Sequence, residues 1–419
     1  MRAIFNLAGK ELRKKRMTSL LLFVMCLVSM YLICTAVTGA ACAVSQQNRF
    51  EETIACDMQK VLHLQCSDTK ETDSFTKVLT DYRSEISALP GVEGVGRFDL
   101  TGMYFSELRS CDDYIRINEE IVDGGKYESH PDIVHLLRSD EKMLSFVEGD
   151  LRAYGKVHDG NLPIYASEVF EDSLPIGRML TDEYTNEVYE VCGYFARGTR
   201  WVEENDLIRF PTVSADGWFI APFSGESEKN IMTQLSCLHN TYVFVSEDAD
   251  SAYLKKQIAE CAKNHGFQAS AQLLSDEYSE YQEETKALTS RQMALAVFIS
   301  AMAVSAVIAV FAGSALLKRR QYGIFLANGW SLKELVLATC AEIAALVFSS
   351  ALLAWAIRLL LLTRSTDLFR DVLIAAHVQY TLPIVLFVSA LLTCIAALIP
   401  ALRIFGYRPA ELIGGNEND

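Results

Sequence analysis

Long stretches without charged side chains divide the chain into membrane-type and water-soluble parts. One stretch lies near the N-terminus and three lie near the C-terminus, and only Glu342 interrupts them. The stretches are residues 17–48, 292–317, 335–357 and 372–402. Each supplies the roughly 20 apolar residues that cross a hydrocarbon core of about 30 Å as a helix. The pattern predicts transmembrane helices at residues 18–45, 291–317, 335–360 and 380–402, with an outer loop at 361–379.

A cleaved signal peptide is the alternative interpretation of the first stretch, because Ala41, Cys42 and Ala43 resemble a cleavage site of small residues. The apolar core of a signal peptide is typically about 7–15 residues long, and this stretch is much longer. We therefore expect a retained helix that anchors the chain in the lipid bilayer.

Lys and Arg residues in the short flanks predict the orientation of the chain. Residues 1–17 hold six of them, residues 318–334 hold four, and residues 403–419 hold two. The loop at 361–379 holds only Arg364 and Arg370. Because basic flanks stay in the cytoplasm, we expect a multi-pass cell-membrane protein with both termini and residues 318–334 in the cytoplasm. Residues 46–290 are then extracytoplasmic.

The acidity of the chain is confined to residues 46–290. This segment holds 22 Lys and Arg residues and 45 Asp and Glu residues, a net charge of −23, whereas the whole chain has −15. An acidic outer block indicates solubility more than a binding site. It also argues against nucleic acid as a partner.

The eleven cysteines follow no motif of known chemistry. Cysteine in a transmembrane helix acts as a small apolar side chain, and five fall there: Cys26, Cys34, Cys42, Cys340 and Cys394. The outer six are Cys56, Cys66, Cys111, Cys192, Cys237 and Cys261. An even number permits disulfides without fixing their connectivity. No Cys-x-x-Cys spacing occurs, so we expect no metal site.

The sequence pattern of residues 46–290 predicts an α+β domain. Apolar residues at helical spacing between two short extended runs indicate a β-α-β unit at 58–100, and the same order recurs at 238–275. The segment between them predicts a β-rich insertion, with its clearest strands at 187–195 and 218–222. The predicted fold is an α-helical membrane protein whose four transmembrane helices are arranged 1+3, with a large extracytoplasmic α+β domain between helices 1 and 2.

The outer domain contains no recognisable catalytic motif. His130 and His135 flank Asp132, but no further Cys or His completes a metal set, so a surface loop is the simpler interpretation. The chain lacks the Gly-x-Ser-x-Gly and His-Glu-x-x-His patterns, and it lacks the phosphate-binding loop of ATPases. We expect that the chain is not an enzyme, needs no cofactor and does not hydrolyse ATP by itself.

Residues 318–334 carry the most specific local pattern. Residues 319–328 predict a short helix, and Gly329 suits its left-handed C-terminal cap. Ser331 and Glu334 have the spacing of a capping box that begins the third transmembrane helix. Two interpretations stay open. The segment is either a tight connection with Trp330 as an interfacial anchor or a docking helix that enters a groove on a soluble partner.

Six residues of this segment form a longer pattern: Arg320, Tyr322, Gly323, Ile324, Ala327 and Gly329. In this order they resemble the cytoplasmic loop of FtsX-like (MacB-type) ABC transporter permeases. That loop commonly has a basic residue and an acidic residue, followed by Ile/Tyr-Gly-Ile and then by Ala-hydrophobic-Gly. Gln321 replaces the usual acidic residue, and Asn328 replaces the usual aliphatic one.

Other parts of the chain agree with this resemblance. Residues 1–17 are similar to the amphipathic basic helix that precedes the family's first span, and Glu342 lies where the family often has a glutamate. The closing motif of the family is matched by Pro400, Arg403, Arg408 and Pro409. The resemblance is strong over residues 1–45 and 290–412 and weaker over 100–235.

The resemblance implies a permease subunit that works as a dimer, with a second copy or a paralogue, together with separately encoded cytoplasmic ABC ATPase subunits. Closure of the ATPases on ATP would move the spans through the short cytoplasmic helix and so move the outer domains, a mode called mechanotransmission. The implied result is export or extrusion of a peptide, antibiotic or lipid-linked substrate. The residues implied to couple to the ATPase are Arg319, Arg320, Tyr322, Gly323, Ile324, Phe325, Ala327, Gly329, Trp330 and Ser331.

The alternative is a membrane-anchored regulator or sensor. Such a protein would activate a cell-wall hydrolase or sense antimicrobial peptides by binding an extracytoplasmic peptide or protein partner through residues 46–290.

Glu342 is a transmembrane polar residue with three interpretations. It could relay protons or substrate, pair with a polar group on a neighbouring helix, or stay protonated as a structural residue, since a carboxylate at this depth is costly. The family's mode moves no substrate through the helix bundle. We therefore favour interhelical hydrogen bonding.

Overall fold

The computed structural model describes residues 16–53, 57–67, 75–121, 133–146, 161–202, 212–365 and 370–406. These residues form two units. We call residues 1–45 and 284–419 the span unit and residues 46–283 the sheet unit. Most of the predicted basic helix at 1–17 lies outside the described residues.

Helices and strands are numbered here in chain order. The helices are α1 (Arg16–Thr53), α2 (Phe75–Ser87), α3 (Asp112–Ile121), α4 (Gly225–Lys229), α5 (Ile231–Cys237), α6 (Ser251–Asn264), α7 (Leu274–Leu317), α8 (Arg319–Ala327), α9 (Leu332–Thr363), α10 (Arg370–Ala376) and α11 (Leu382–Phe405). The strands are β1 (Val61–Ser67), β2 (Val92–Tyr104), β3 (Ile133–Ser139), β4 (Leu162–Ser167), β5 (Met179–Thr181), β6 (Val188–Phe195), β7 (Arg200–Val202), β8 (Thr212–Ser214), β9 (Trp218–Ala221), β10 (Thr241–Val245) and β11 (Gln268–Leu273).

Within the described residues, four helical segments are long and apolar enough to cross a membrane: α1, α7, α9 and the segment Arg370–Phe405. Within the span unit, side chains from all four pack into one apolar cluster. Small residues such as Ala296, Ala351 and Ala354 are buried there, which permits close approach of the helix backbones. The hydroxyls of Ser29 and Ser300 lie 2.7 Å apart and join α1 to α7 by a buried hydrogen bond.

Two of these helices are longer than the apolar stretches that predicted them. Helix α1 continues to Thr53, and α7 begins at Leu274, within the segment predicted as outer domain. Neither extension contains glycine or proline, so nothing in its sequence stops the helix where the apolar run ends.

The outer loop predicted at 361–379 is shorter in the structure. Helix α9 extends to Thr363, α10 begins at Arg370, and a π-helical turn at His377–Thr381 joins α10 to α11 without a break. Two charged residues of the predicted loop lie at helix ends. Arg364 is the C-cap of α9, and Asp371 lies in the first turn of α10, where the helix dipole favours a carboxylate.

The two β-α-β units of the sheet unit interleave. Strand β1 lies between β10 and β11 and is antiparallel to both, and β10 likewise lies between β1 and β2. Each unit therefore has two parallel strands that are separated by one strand of the other unit. Helices α2 and α6 pack with these strands in one core cluster, which includes Leu79, Ile86, Val243 and Ile258.

Most of the β-rich insertion extends the same sheet, whereas β7 and β8 pair with each other in a separate two-stranded sheet. Strand β2 pairs with β10 along its first half and with β3 along its second half. Among the described residues the sheet has nine strands in the order β11-β1-β10-β2-β3-β9-β4-β6-β5. β2 can pair with both neighbouring strands because its 13 residues contain no proline, so every backbone N–H can form a hydrogen bond between strands.

Candidate functional site

Helix α8 and the turn after it form the candidate site, and their local sequence explains their geometry. Gly329 has φ +89°, a left-handed conformation that favours glycine, and the N–H of Trp330 donates to the carbonyl of Phe325 at 3.1 Å. The predicted capping box is confirmed. The Ser331 N–H donates to Glu334 Oε2 at 2.8 Å, and the Glu334 N–H donates to Ser331 Oγ at 3.3 Å. The turn between α8 and α9 is therefore held by hydrogen bonds at both ends.

One face of α8 is packed against other helices of the span unit. Tyr322 is 7% exposed and shares a cluster with Ala315 of α7, Leu335 of α9 and Ile404 of α11. Phe325 packs beside this cluster, and its ring centroid lies 5.4 Å from that of Trp330. Gly323 is also buried. These members of the predicted coupling set hold the helix in place.

The opposite face of α8 is exposed. Arg320, Ile324 and Ala327 follow one another at helical spacing, and Arg319 lies beside them. Ile324 is 56% exposed. The face combines two guanidinium groups with an apolar centre, which is the composition expected of a surface that docks onto an acidic-rimmed groove. Gly329 and Ser331, at the end of the turn, are exposed as well.

Glu342 pairs with Lys318 at the junction of α7 and α8. Lys318 Nζ lies 3.9 Å from Glu342 Oε1, and the two side chains are only 11% and 10% exposed. Lys318 is the N-cap residue of α8, whereas Glu342 belongs to α9. The pair therefore joins α9 to the start of the candidate site as an ion pair. The interhelical hydrogen bond that we favour for Glu342 stays a prediction. The sequence did not identify Lys318 as the partner, because the pairing depends on how the helices pack.

The closing motif of the chain is only partly described. Pro400 is buried within α11, and Arg403 is exposed in its last turn. Arg408 and Pro409 lie outside the described residues. The residue of this region that reaches α8 is Ile404, which sequence reasoning did not select.

A second polar group in the span unit was also missed. The Thr38 hydroxyl of α1 lies 2.8 Å from His377 Nδ1 and 3.0 Å from the Thr381 hydroxyl. The ring of His377 stacks on Trp355 at 5.5 Å, and its Nε2 donates to the Trp355 carbonyl at 3.1 Å. The sequence does not reveal the π-helical turn that carries His377 and Thr381. No hydropathy pattern distinguishes it from ordinary helix, although such turns occur frequently at functional sites.

The sheet unit contains a polar cavity of about 470 Å³. Its wall includes a buried ion pair between Arg138 Nη1 and Asp99 Oδ2 at 3.3 Å, and Arg138 Nε has no hydrogen-bond partner among the described residues. The exposed side chains of Tyr184 and Met232 also line it. Burial raises the pKa of Asp99, and hydrogen bonds together with Arg138 oppose that shift.

His135 lies in strand β3 and not in the predicted surface loop. The ring of the exposed His135 stacks on Trp218 with centroids 6.0 Å apart. His130 and Asp132 lie outside the described residues. Cys66, Cys111, Cys192, Cys237 and Cys261 are all free in the structure, and Cys56 lies outside the described residues.

Comparisons with known proteins give weak similarities. No protein-family model matches this chain, and no curated protein matches its sequence. The periplasmic region of MacB from Actinobacillus actinomycetemcomitans is similar at 10% identity and a TM-score of 0.33, over 53% of this chain and 92% of that one. The extracellular domain of the noncanonic ABC-type transporter YknZ from Gram-positive bacteria is similar at 10% identity and a TM-score of 0.29, over 51% and 99%. At these TM-scores neither similarity identifies a fold, a partner or a function.

Proposed function

We propose that this chain is the membrane-spanning subunit of an ABC transporter of the FtsX/MacB type. Both termini and α8 lie in the cytoplasm, and the sheet unit lies outside. The chain works with a separate cytoplasmic ATPase subunit and with a second copy of itself or a paralogue. Hydrolysis of ATP by the ATPase drives movement of the sheet unit, which exports or extrudes a peptide, antibiotic or lipid-linked substrate. The chain itself catalyses no reaction.

The exposed face of α8 is the observation that carries this proposal. A short helix between two candidate spans needs only its inner face to connect them. Here the outer face also carries a distinct set of exposed side chains. Ile324 lies between Arg319 and Arg320 on one side and Ala327 on the other. The 56% exposure of Ile324, with two arginines on the same face, supports docking of a partner on this face.

The inner face of α8 provides the means of transmission. Tyr322 packs on Leu335 and Ile404, and Lys318 pairs with Glu342. A displacement of α8 by a partner is therefore passed to α9 and α11 through side-chain contacts. It is passed to α7 through the chain itself. In this mechanism the helices act as a lever and no substrate passes between them.

The experiment that tests this function is co-purification. The full-length chain is co-expressed with candidate ABC ATPase subunits from the same genome and isolated in detergent through a tag on this chain. We expect the ATPase to co-elute and its rate of ATP hydrolysis to rise in the complex. Absence of both effects with a correctly inserted chain would show that the proposed function is wrong.

The cavity in the sheet unit favours a second candidate, a membrane-anchored sensor. Its volume of about 470 Å³ lies within the range of small-molecule sites, and a buried Arg138 with an unsatisfied Nε lines it. The two functions differ in the ATPase assay. A sensor or hydrolase regulator binds its outer partner without requiring that the ATPase be stimulated.

A further inference from the structure

Helices α2 and α6 of the sheet unit bring three metal-ligating side chains together. Cys261 and His265 are four residues apart at the end of α6, and Glu85 faces them from α2. The Sγ atom of Cys261, a ring nitrogen of His265 and a carboxylate oxygen of Glu85 all lie within 4.8 Å of one another. His265 Nε2 lies 2.9 Å from Glu85 Oε2.

We propose that Glu85, Cys261 and His265 bind one Zn²⁺-class transition-metal ion on the sheet unit. The three side chains supply an oxygen, a sulfur and a nitrogen donor. A thiolate and an imidazole exclude Mg²⁺ and Ca²⁺, which take oxygen ligands, and suit Zn²⁺, which takes all three. The thiolate and carboxylate charges balance a divalent cation. Water takes the fourth position, as in zinc sites with three protein ligands.

The backbone fixes two of the ligands on one side. Residues four apart on a helix share a face, so Cys261 and His265 project together. Gly266 has φ +85° and ends the helix directly after His265. The N–H of Phe267 then donates to the carbonyl of Ala262 at 3.1 Å. This turn fixes the backbone of His265 at the C-cap, and the contact with Glu85 positions its imidazole.

A buried hydroxyl beside the cluster is a second, independent observation. Tyr82 is 2% exposed, and its hydroxyl has no hydrogen-bond partner among the described residues. It lies on α2 one turn before Glu85, and its ring centroid is 6.0 Å from that of His265. A buried hydroxyl without a partner is costly. A metal-bound thiolate offers it an acceptor, which a neutral thiol does poorly.

The ion would connect the two interleaved β-α-β units, because Glu85 belongs to the first unit and the other two ligands to the second. The site does not depend on the proposed transport function. It requires only that Cys261 is a free thiol, as it is in the structure.

The test uses the full-length chain in detergent after treatment with a chelator. Titration with Co²⁺, a spectroscopic substitute for Zn²⁺, should produce a thiolate-to-cobalt charge-transfer band that saturates at one ion per chain. Zn²⁺ should then displace the Co²⁺. The thermal unfolding temperature should rise with added Zn²⁺, because the ion binds only the folded cluster.

Variants decide the assignment. Cys261→Ser should abolish the band, while Glu85→Gln and His265→Gln should weaken Zn²⁺ binding more than about 100-fold, since loss of a second-shell partner alone costs about 10–100-fold. Cys192→Ser, which changes a free cysteine elsewhere in the sheet unit, should leave the titration unchanged. Far-UV circular dichroism checks that each variant is folded. A band that persists in Cys261→Ser, no band in the wild type, or a disulfide at Cys261 found by mass spectrometry would overturn the proposal.

Discussion

At the scale of single residues, the ion pair between Lys318 and Glu342 shows what sequence can and cannot reveal. A carboxylate in an apolar stretch is visible in the sequence, so the sequence alone identifies Glu342. Its partner is not visible there, because nothing in the sequence distinguishes Lys318 from the other basic residues of its segment. The packing of the helices decides which of those residues reaches α9.

The pair makes a prediction about substitutions at Glu342. Glu342→Leu leaves the buried Lys318 ammonium without its carboxylate, and loss of one partner of a buried ion pair costs about 3–5 kcal/mol. Glu342→Gln keeps an oxygen acceptor and should cost less. Thermal unfolding in detergent should therefore rank the melting temperatures as wild type, Glu342→Gln and Glu342→Leu, from highest to lowest.

The double variant Lys318→Met with Glu342→Leu is the control, since it removes both charges. We expect it to unfold at a higher temperature than Glu342→Leu alone. If the two substitutions were simply additive, the pair would carry no coupling and the assignment would fail.

Gly329 makes a second prediction at this scale. An alanine Cβ there would meet no atom within 4 Å, so the cost of Gly329→Ala comes from its left-handed backbone and amounts to about 1–2 kcal/mol. Gly313 in α7 also has open space but lacks the left-handed φ, so Gly313→Ala should stabilise by about 1 kcal/mol. Equal effects of the two substitutions on thermal unfolding would contradict the role assigned to the turn.

At the scale of elements, the sequence predicts that α8 exists and where it ends, but not which face of the helix is exposed. Its glycine and capping box are local signals, and both are present in the structure. The division between an inner and an outer face depends on Leu335 and Ile404, which come from two other helices. The predicted coupling set therefore mixes residues that hold α8 with residues that can contact a partner.

This division predicts opposite effects for two neighbours on α8. Tyr322→Ala removes a buried aromatic ring and should lower the free energy of unfolding by about 3–5 kcal/mol. Ile324→Ala changes an exposed side chain and should alter it by no more than about 0.5 kcal/mol. Denaturant or thermal unfolding of the two variants measures this directly. A stability loss for Ile324→Ala as large as that for Tyr322→Ala would mean that the helix is oriented differently.

At the scale of the whole molecule, the sequence indicated four apolar spans and two β-α-β units, because both are local periodic patterns. It could not indicate that the units interleave or that most of the insertion extends the same sheet. Those features are set by pairing between strands far apart in the chain, such as β1 with β10 and β2 with β3. The cluster of Glu85, Cys261 and His265 was missed for the same reason, since the glutamate comes from the other unit.

The central claim is that the outer face of α8 binds the ATPase, and the most direct measurement is ATPase stimulation by matched variants of the full-length chain. Arg320→Glu and Ile324→Asp change this face, whereas Lys333→Glu makes the same charge reversal on an exposed residue of α9. We predict that the two α8 variants insert and fold but lose co-purification and stimulation of the ATPase, and that Lys333→Glu keeps both. Full stimulation by Arg320→Glu and Ile324→Asp would contradict the claim.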